Sequence, residues 1–175
     1  MISVIVPIKN EPPEPAPALA RFLTFPDCEL LVVDAESDSA AGLAWKASGA
    51  RVIAGRGSRG ACLAQAVSAA RGEIVFFLHA DSQPPLDALE IIRRTIGDGA
   101  CAGAFSLAYQ DAGLPMRWIA MWANLRSRLL RLPLGDQGIF CRREAYEAAG
   151  GFQDMPVCDD IDLVRRLRRT GRFVI

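Results

Sequence analysis

Apolar residues fall along this chain in short runs rather than in strict alternation with polar ones. Ile2 to Ile8, Glu29 to Val33, Arg51 to Ala54 and Ile74 to Leu78 are the clearest. Runs of this kind read as strands buried on both faces, as in parallel sheets covered by helices. Helical stretches separate them: Ala16 to Leu23, Leu43 to Ser48, and the Ala-rich Ala61 to Ala70, which is followed by Gly72, the expected stop residue. A further helix is expected near Leu86 to Ile96, beyond Pro84 and Pro85. This strand-helix alternation predicts an α/β fold built on a doubly wound, mostly parallel sheet. The second half loses the rhythm. There the pattern predicts a strand over Ala102 to Tyr109, a Trp- and Arg-rich helix over Met116 to Leu130, and a short strand over Gly138 to Cys141. Helices near Arg143 to Ala149 and over Asp159 to Thr170 follow. Arg172 to Ile175 reads as the start of a strand that stops, as a truncated chain would. With no internal repeat and no low-complexity linker, residues 1–175 are expected to form a single domain around one core.

Composition narrows the function classes. A chain of 175 residues, 51% of them apolar, suffices for one domain with a substantial core. Twenty basic and twenty acidic residues cancel, so no global field recommends nucleic acid as a partner. The five cysteines are scattered without a Cys-x-x-Cys pair, and one histidine accompanies them. That supports neither a zinc site nor a disulfide framework, and free thiols without a signal peptide point to the cytoplasm. No apolar stretch approaches the roughly 20 residues of a membrane-spanning helix.

The chemistry gathers where strands stop. Asn10-Glu11, Asp34 with Glu36 and Asp38, and His79-Ala80-Asp81 each follow an apolar run, and in open α/β sheets ligands bind outside the carboxyl ends of the strands. Asp81 suits a hard divalent cation, which is held by one or two carboxylates together with substrate phosphates; the alternative is an N-cap for the next helix. Asp34 fits either a nucleoside contact or a turn. Arg56 and Arg59, in the loop Gly55 to Gly60, offer guanidinium groups for a diphosphate, although the loop matches no phosphate-binding consensus and an ordinary turn remains open.

Five segments carry a family resemblance. Ile2-Ser-Val-Ile-Val-Pro-Ile-Lys-Asn-Glu11, Val32-Val-Asp-Ala-Glu-Ser-Asp38, Phe76-Phe-Leu-His-Ala-Asp81, Gly135-Asp-Gln-Gly-Ile-Phe140 and Cys158-Asp-Asp-Ile-Asp-Leu163 resemble, in order, the motifs of family-2 glycosyltransferases with the GT-A fold, and in particular a bacterial subgroup of small single-domain members. The resemblance implies inverting transfer of a sugar from a UDP- or GDP-sugar to an acceptor hydroxyl, with Mn²⁺ or Mg²⁺ as cofactor. It implies a nucleotide site at Pro7, Lys9, Glu11, Asp34, Arg59 and His79. Asp81 would bind the metal. Asp160 would be the general base, with Asp159 beside it. Gly103, Asp136 and Gln137 would line the acceptor or donor-sugar pocket. Three positions depart from the family pattern: His79 stands at the first acid of Asp-x-Asp, Ala35 at a frequent second Asp, and Asp159 at a Glu.

Each assignment has a plainer reading. Acids at 159, 160 and 162 favour a helix N-terminus without any catalytic role, and Gly135 to Gln137 reads equally as a turn. Trp118 and Trp122 share a helix face, which is ordinarily core; with Arg117, Arg126 and Arg128 they also suit a membrane surface. The latter fits a lipid-linked acceptor and a cytoplasmic protein peripheral to the inner membrane. Two rival functions remain. A nucleotidyltransferase of related fold is disfavoured because Lys9-Asn-Glu-Pro-Pro13 replaces a Gly-rich activating loop, whereas a non-catalytic nucleotide-sugar binding module draws support from His79.

Overall fold

The computed structural model describes residues 1–109 and 113–175. Seven strands form one sheet in the order β3-β2-β1-β4-β6-β5-β7. The first four, β1 (Ile2–Ile8), β2 (Cys28–Asp34), β3 (Arg51–Ala54) and β4 (Ile74–Phe77), are mutually parallel. β6 (Ile139–Arg142) runs antiparallel between β4 and β5 (Ala102–Ala104), and β7 (Phe173–Val174) pairs parallel to β5. The helices are α1 (Pro17–Ala20), α2 (Ala40–Ala47), α3 (Arg59–Ala69), α4 (Ala88–Gly97), α5 (Leu114–Leu130), α6 (Arg143–Ala148) and α7 (Asp159–Thr170).

The short apolar runs follow from helices on both faces. Ile5, Leu31, Val33, Val75 and Phe77 point to one face, where α3, α6 and α7 supply Leu63, Val67, Tyr146, Leu163 and Leu167. Val4, Val6, Leu30, Val32, Phe76 and Leu78 point to the other, against Leu19, Phe22, Trp45, Leu89 and Ile92. Most side chains of β1, β2 and β4 are therefore dry whichever way they point, whereas the edge strand β3 keeps Arg51 and Ala54 exposed. Both layers draw on the two halves of the chain.

Three expectations change. The strand expected over Ala102 to Tyr109 ends at Ala104, because the backbone beyond it finds other partners. Phe105 N–H donates to the Gln137 carbonyl at 2.8 Å, and the Asn124 side chain brackets the Leu107 backbone, accepting at 2.7 Å and donating at 2.8 Å. The Trp stripe of α5 does not enter the core: Trp118 and Trp122 are each 59% exposed. Asp81 caps no helix, since α4 begins only at Ala88 after Asp87.

Candidate active site

Strands β2 and β3 are added on one side of β1, and β4 on the other, so the order reverses between β1 and β4. Such a switch point opens a crevice at the carboxyl ends of the strands. Here β1 pairs with β2 as far as Ile8↔Asp34 but with β4 only to Ile5↔Phe77. Pro7 lies in the stretch beyond the β4 pairing, where a residue without an N–H costs the sheet least. Lys9 and Glu11 follow in an exposed loop.

On the β4 side, His79 N–H donates to Ser82 Oγ at 2.9 Å and Ser82 N–H to the His79 carbonyl at 3.1 Å. This tight turn leaves Asp81 exposed beside the imidazole. Arg59 reaches the same place from the first turn of α3, whose N-cap is Ser58; its Oγ accepts from Ala61 N–H at 3.2 Å. Arg59 Nη2 contacts His79 Nε2 at 3.0 Å, and Nη1 donates to Asp159 Oδ1 at 3.2 Å. A guanidinium only donates, so Nε2 accepts and the imidazole proton belongs on Nδ1. Burial, then the Arg59 charge, holds the His79 pKa below its ordinary value, opposed by Asp81, Asp136 and Asp160. Neutral imidazole is the state consistent with both observations.

The two acids at the start of α7 divide. Asp159 is 4% exposed, and its carboxylate meets Arg59. Gly60 makes the approach of α3 to this segment feasible, because a Cβ there would lie 2.4 Å from the Gln153 carbonyl oxygen and 3.3 Å from Asp159 Cβ. Asp160 is half-buried and turns to the crevice: Oδ2 accepts from Gly135 N–H at 2.6 Å, and Oδ1 from Ile161 N–H at 2.8 Å. Position 135 is the hub. A Cβ there would stand 2.7 Å from Arg59 Nη2, 3.0 Å from His79 Nε2 and 3.1 Å from Asp160 Oδ2.

Asp34 is 1% exposed, with Oδ1 accepting from Glu36 N–H at 3.0 Å and Oδ2 from Ser39 N–H at 2.8 Å. It thus organises the loop after β2, and it also lines a hollow of about 70 Å³ with Asp38, Lys46 and Ile53. Glu36 Oε2 accepts from Asn10 N–H at 2.9 Å, tying this loop to the one after β1.

The structure therefore brings Arg59, His79, Asp81, Asp136, Asp159 and Asp160 together and places Pro7, Lys9, Glu11 and Asp34 along the same edge. Gly103 and Gln137 serve packing instead of lining a pocket. A Cβ on Gly103 would meet the Phe140 ring at 2.5 Å. The Gln137 amide is 2% exposed and binds Ser127 at 2.6 Å and the Phe105 carbonyl at 3.1 Å. Gly135, which acts through its backbone N–H, and Ser58, whose hydroxyl caps α3, were not among the expected site residues; the Gly-Asp-Gln segment is the sequence signal nearest to the first.

Metal ligation has a defined limit. Among the described residues, no three carboxylate, imidazole or thiolate groups are close enough to cage an ion, and Arg59 occupies His79 Nε2. The exposed Asp81 carboxylate fits an ion shared with substrate phosphates, the usual arrangement for Mg²⁺. A larger cleft, about 510 Å³, opens at the opposite edge of the sheet beside Arg142 and Arg143. Their guanidinium groups bond the carbonyls of Ile96, Ala100, Val67, Ala70 and Gly72, so they secure the chain rather than await a ligand.

Residues 3–145 match the family described as Glycosyl transferase family 2. No curated protein matches the chain. Among solved structures, a mannosyltransferase from Pyrobaculum calidifontis in complex with GDP-Man and Mn²⁺ superposes with a TM-score of 0.71 at 21% identity, covering 99% of this chain and 53% of that one. S. aureus TarS 1-349 in complex with UDP-GlcNAc gives 0.71 at 18%, covering 99% and 55%. Glucosyl-3-phosphoglycerate synthase from Mycobacterium tuberculosis gives 0.72 at 21%, covering 99% and 68%. At these identities the likeness concerns the GT-A fold, and the chain spans little more than half the length of the first two.

Proposed function

The chain belongs to glycosyl transferase family 2, and on that premise we propose that it moves a sugar from a nucleoside-diphosphate donor to an acceptor hydroxyl with inversion, using Asp160 as general base. The observation that carries this reading is the convergence of Arg59, His79 and Asp160 around Gly135, at the switch point of the sheet.

The donor lies along the ends of β1, β2 and β4, with the nucleoside toward the Asp34 hollow and the diphosphate toward Arg59. Asp159 fixes the Arg59 guanidinium from below, so the cation is preorganised where negative charge grows on the leaving diphosphate. A divalent ion held by Asp81 and the diphosphate would supply further charge neutralisation when bound. Asp160 takes the proton of the acceptor hydroxyl as its oxygen attacks the anomeric carbon. The new glycosidic C–O bond forms as the bond to the diphosphate breaks on the opposite side of the sugar. The Gly135 N–H holds the Asp160 carboxylate in orientation. His79, neutral and bonded to Arg59, orients that cation rather than serving as a second metal ligand.

UDP- and GDP-sugars are the donors to test, since the structural neighbours include complexes with GDP-Man and with UDP-GlcNAc. Binding to the folded state raises its melting temperature. The reading expects a rise with UDP, GDP or one of their sugars at millimolar concentration and Mn²⁺; the absence of any shift across that set would refute it. A binding module without catalysis would give the shift but no transfer or donor hydrolysis.

A further inference from the structure

Helix α5 presents its apolar side outward. Trp118, Trp122, Leu125 and Leu129 follow one another at helical spacing, with exposures of 59%, 59%, 41% and 73%, and Ile119 and Met121 widen the stripe. The inward side is the polar one. Ser127 and Asn124 face the protein, where they bond Gln137 and Leu107, and only Ala120 and Ser127 of the helix are buried. Contiguous exposed apolar stripes mark interaction surfaces.

Charge identifies the occupant. The segment Leu114–Leu130 contains no acidic residue and carries Arg117, Arg126 and Arg128, with Arg131 next in the chain. Arg117 and Arg128 are exposed. Arg168 Nη1 donates to the Leu130 carbonyl at 2.9 Å, so α7 brings the exposed Arg168 to the C-terminal end of the stripe. Trp side chains suit the boundary between headgroups and hydrocarbon, and Arg beside them suits anionic headgroups. A second copy fits less well, because two such faces meeting about a twofold axis would bring Arg rows of like sign together.

We infer that the outer face of α5 docks the protein onto an anionic lipid surface, with the Trp118–Trp122–Leu125–Leu129 stripe inserted at the headgroup boundary and the flanking arginines on lipid phosphates. Docking does not depend on the glycosyl-transfer reading. Its consequence does: through Ser127–Gln137 and Gly135–Asp160 the helix is joined to the proposed base, so an acceptor carried on lipid would meet Asp160 from the membrane side.

The full chain is mixed with vesicles of phosphatidylglycerol and phosphatidylcholine, and with phosphatidylcholine alone, followed by sedimentation and tryptophan emission. Trp45 is buried and acts as a constant background, whereas Trp118 and Trp122 report insertion. Expected are co-sedimentation with the anionic vesicles, a blue shift that disappears in Trp118→Phe/Trp122→Phe, and release in about 0.5 M salt. Trp122→Glu should weaken partitioning at least about tenfold, and Arg117→Gln and Arg128→Gln about fivefold each. Circular dichroism and donor binding should stay at parent values in these variants, which separates loss of docking from loss of the fold or of the donor site. Three results would overturn the inference: no partitioning onto anionic vesicles, partitioning indifferent to Trp122→Glu and to both arginine changes, or a lipid-free dimer that Trp122→Glu dissolves. The last would assign the face to a second copy.

Discussion

Gly135 N–H donates to Asp160 Oδ2 at 2.6 Å, and a Cβ on Gly135 would fall within 3.1 Å of Arg59 Nη2, His79 Nε2 and Asp160 Oδ2 alike. One backbone position thus abuts three of the polar side chains proposed to act in the site. Gly135→Ala should displace polar side-chain ends rather than core atoms. It is expected to lower turnover by at least about tenfold, by misplacing the groups that act in the transition state, with a stability loss of no more than about 2 kcal/mol. Steady-state kinetics and urea unfolding on the same variant check this, and a loss of stability with normal turnover would count against the hub.

Asp160→Asn removes the proposed proton acceptor but keeps shape and the capacity to accept from Gly135. Turnover should fall about a hundredfold or more with donor affinity unchanged, as expected for a group that acts only in the transition state. Asp159→Asn should be distinguishable: it loosens Arg59 and therefore weakens donor binding. Measuring kcat and donor Kd for both variants separates the roles, and equal activity of Asp160→Asn and the parent returns Asp160 to being a first-turn acid of α7.

Asp81→Ala is expected to abolish metal-dependent nucleotide binding and leave unfolding unchanged, because the side chain is exposed and lies outside any helix cap. A lost cap would instead cost about 1 kcal/mol. Calorimetric titration of the nucleotide with and without Mn²⁺ is the measurement; parent-like affinity in the variant removes Asp81 from the site.

His79 gives the protein a pH dependence of defined sign. Its pKa in the fold lies below the ordinary 6.5 because burial, and next Arg59, disfavour the charged ring. The unfolded chain therefore takes up the proton first. The His79 contribution to stability is complete above 6.5 and is lost as pH falls from there through the lower folded pKa. His79→Gln, which still accepts from Arg59 but does not titrate, should lose less stability than the parent between about pH 8 and pH 5.5. Matched melting curves at both pH values decide it; identical slopes would show that His79 does not ionise on unfolding.

Sequence alone determined the buried strands and the helices between them. Ile2 to Ile8 and Ile74 to Leu78 are apolar on both faces, and only a sheet with helices above and below leaves such runs dry. The acids at the strand ends were equally legible, because chain direction and a parallel sheet bring Asp34 and Asp81 to one edge. Tertiary structure decided what each of them faces. Asp159 and Asp160 are neighbours of one type in one helical turn, yet the first turns inward to Arg59 and the second toward Gly135, a division that depends on how closely Gly60 lets α3 approach α7. Gln137 reads as a pocket residue until Ser127 and Phe105 claim its amide. The stripe on α5 shows the same limit. Its spacing specifies that Trp118, Trp122, Leu125 and Leu129 share a face, but periodicity has no sign: whether that face meets the core or the outside is settled by Asn124 and Ser127, whose polar partners exist only once the chain has folded.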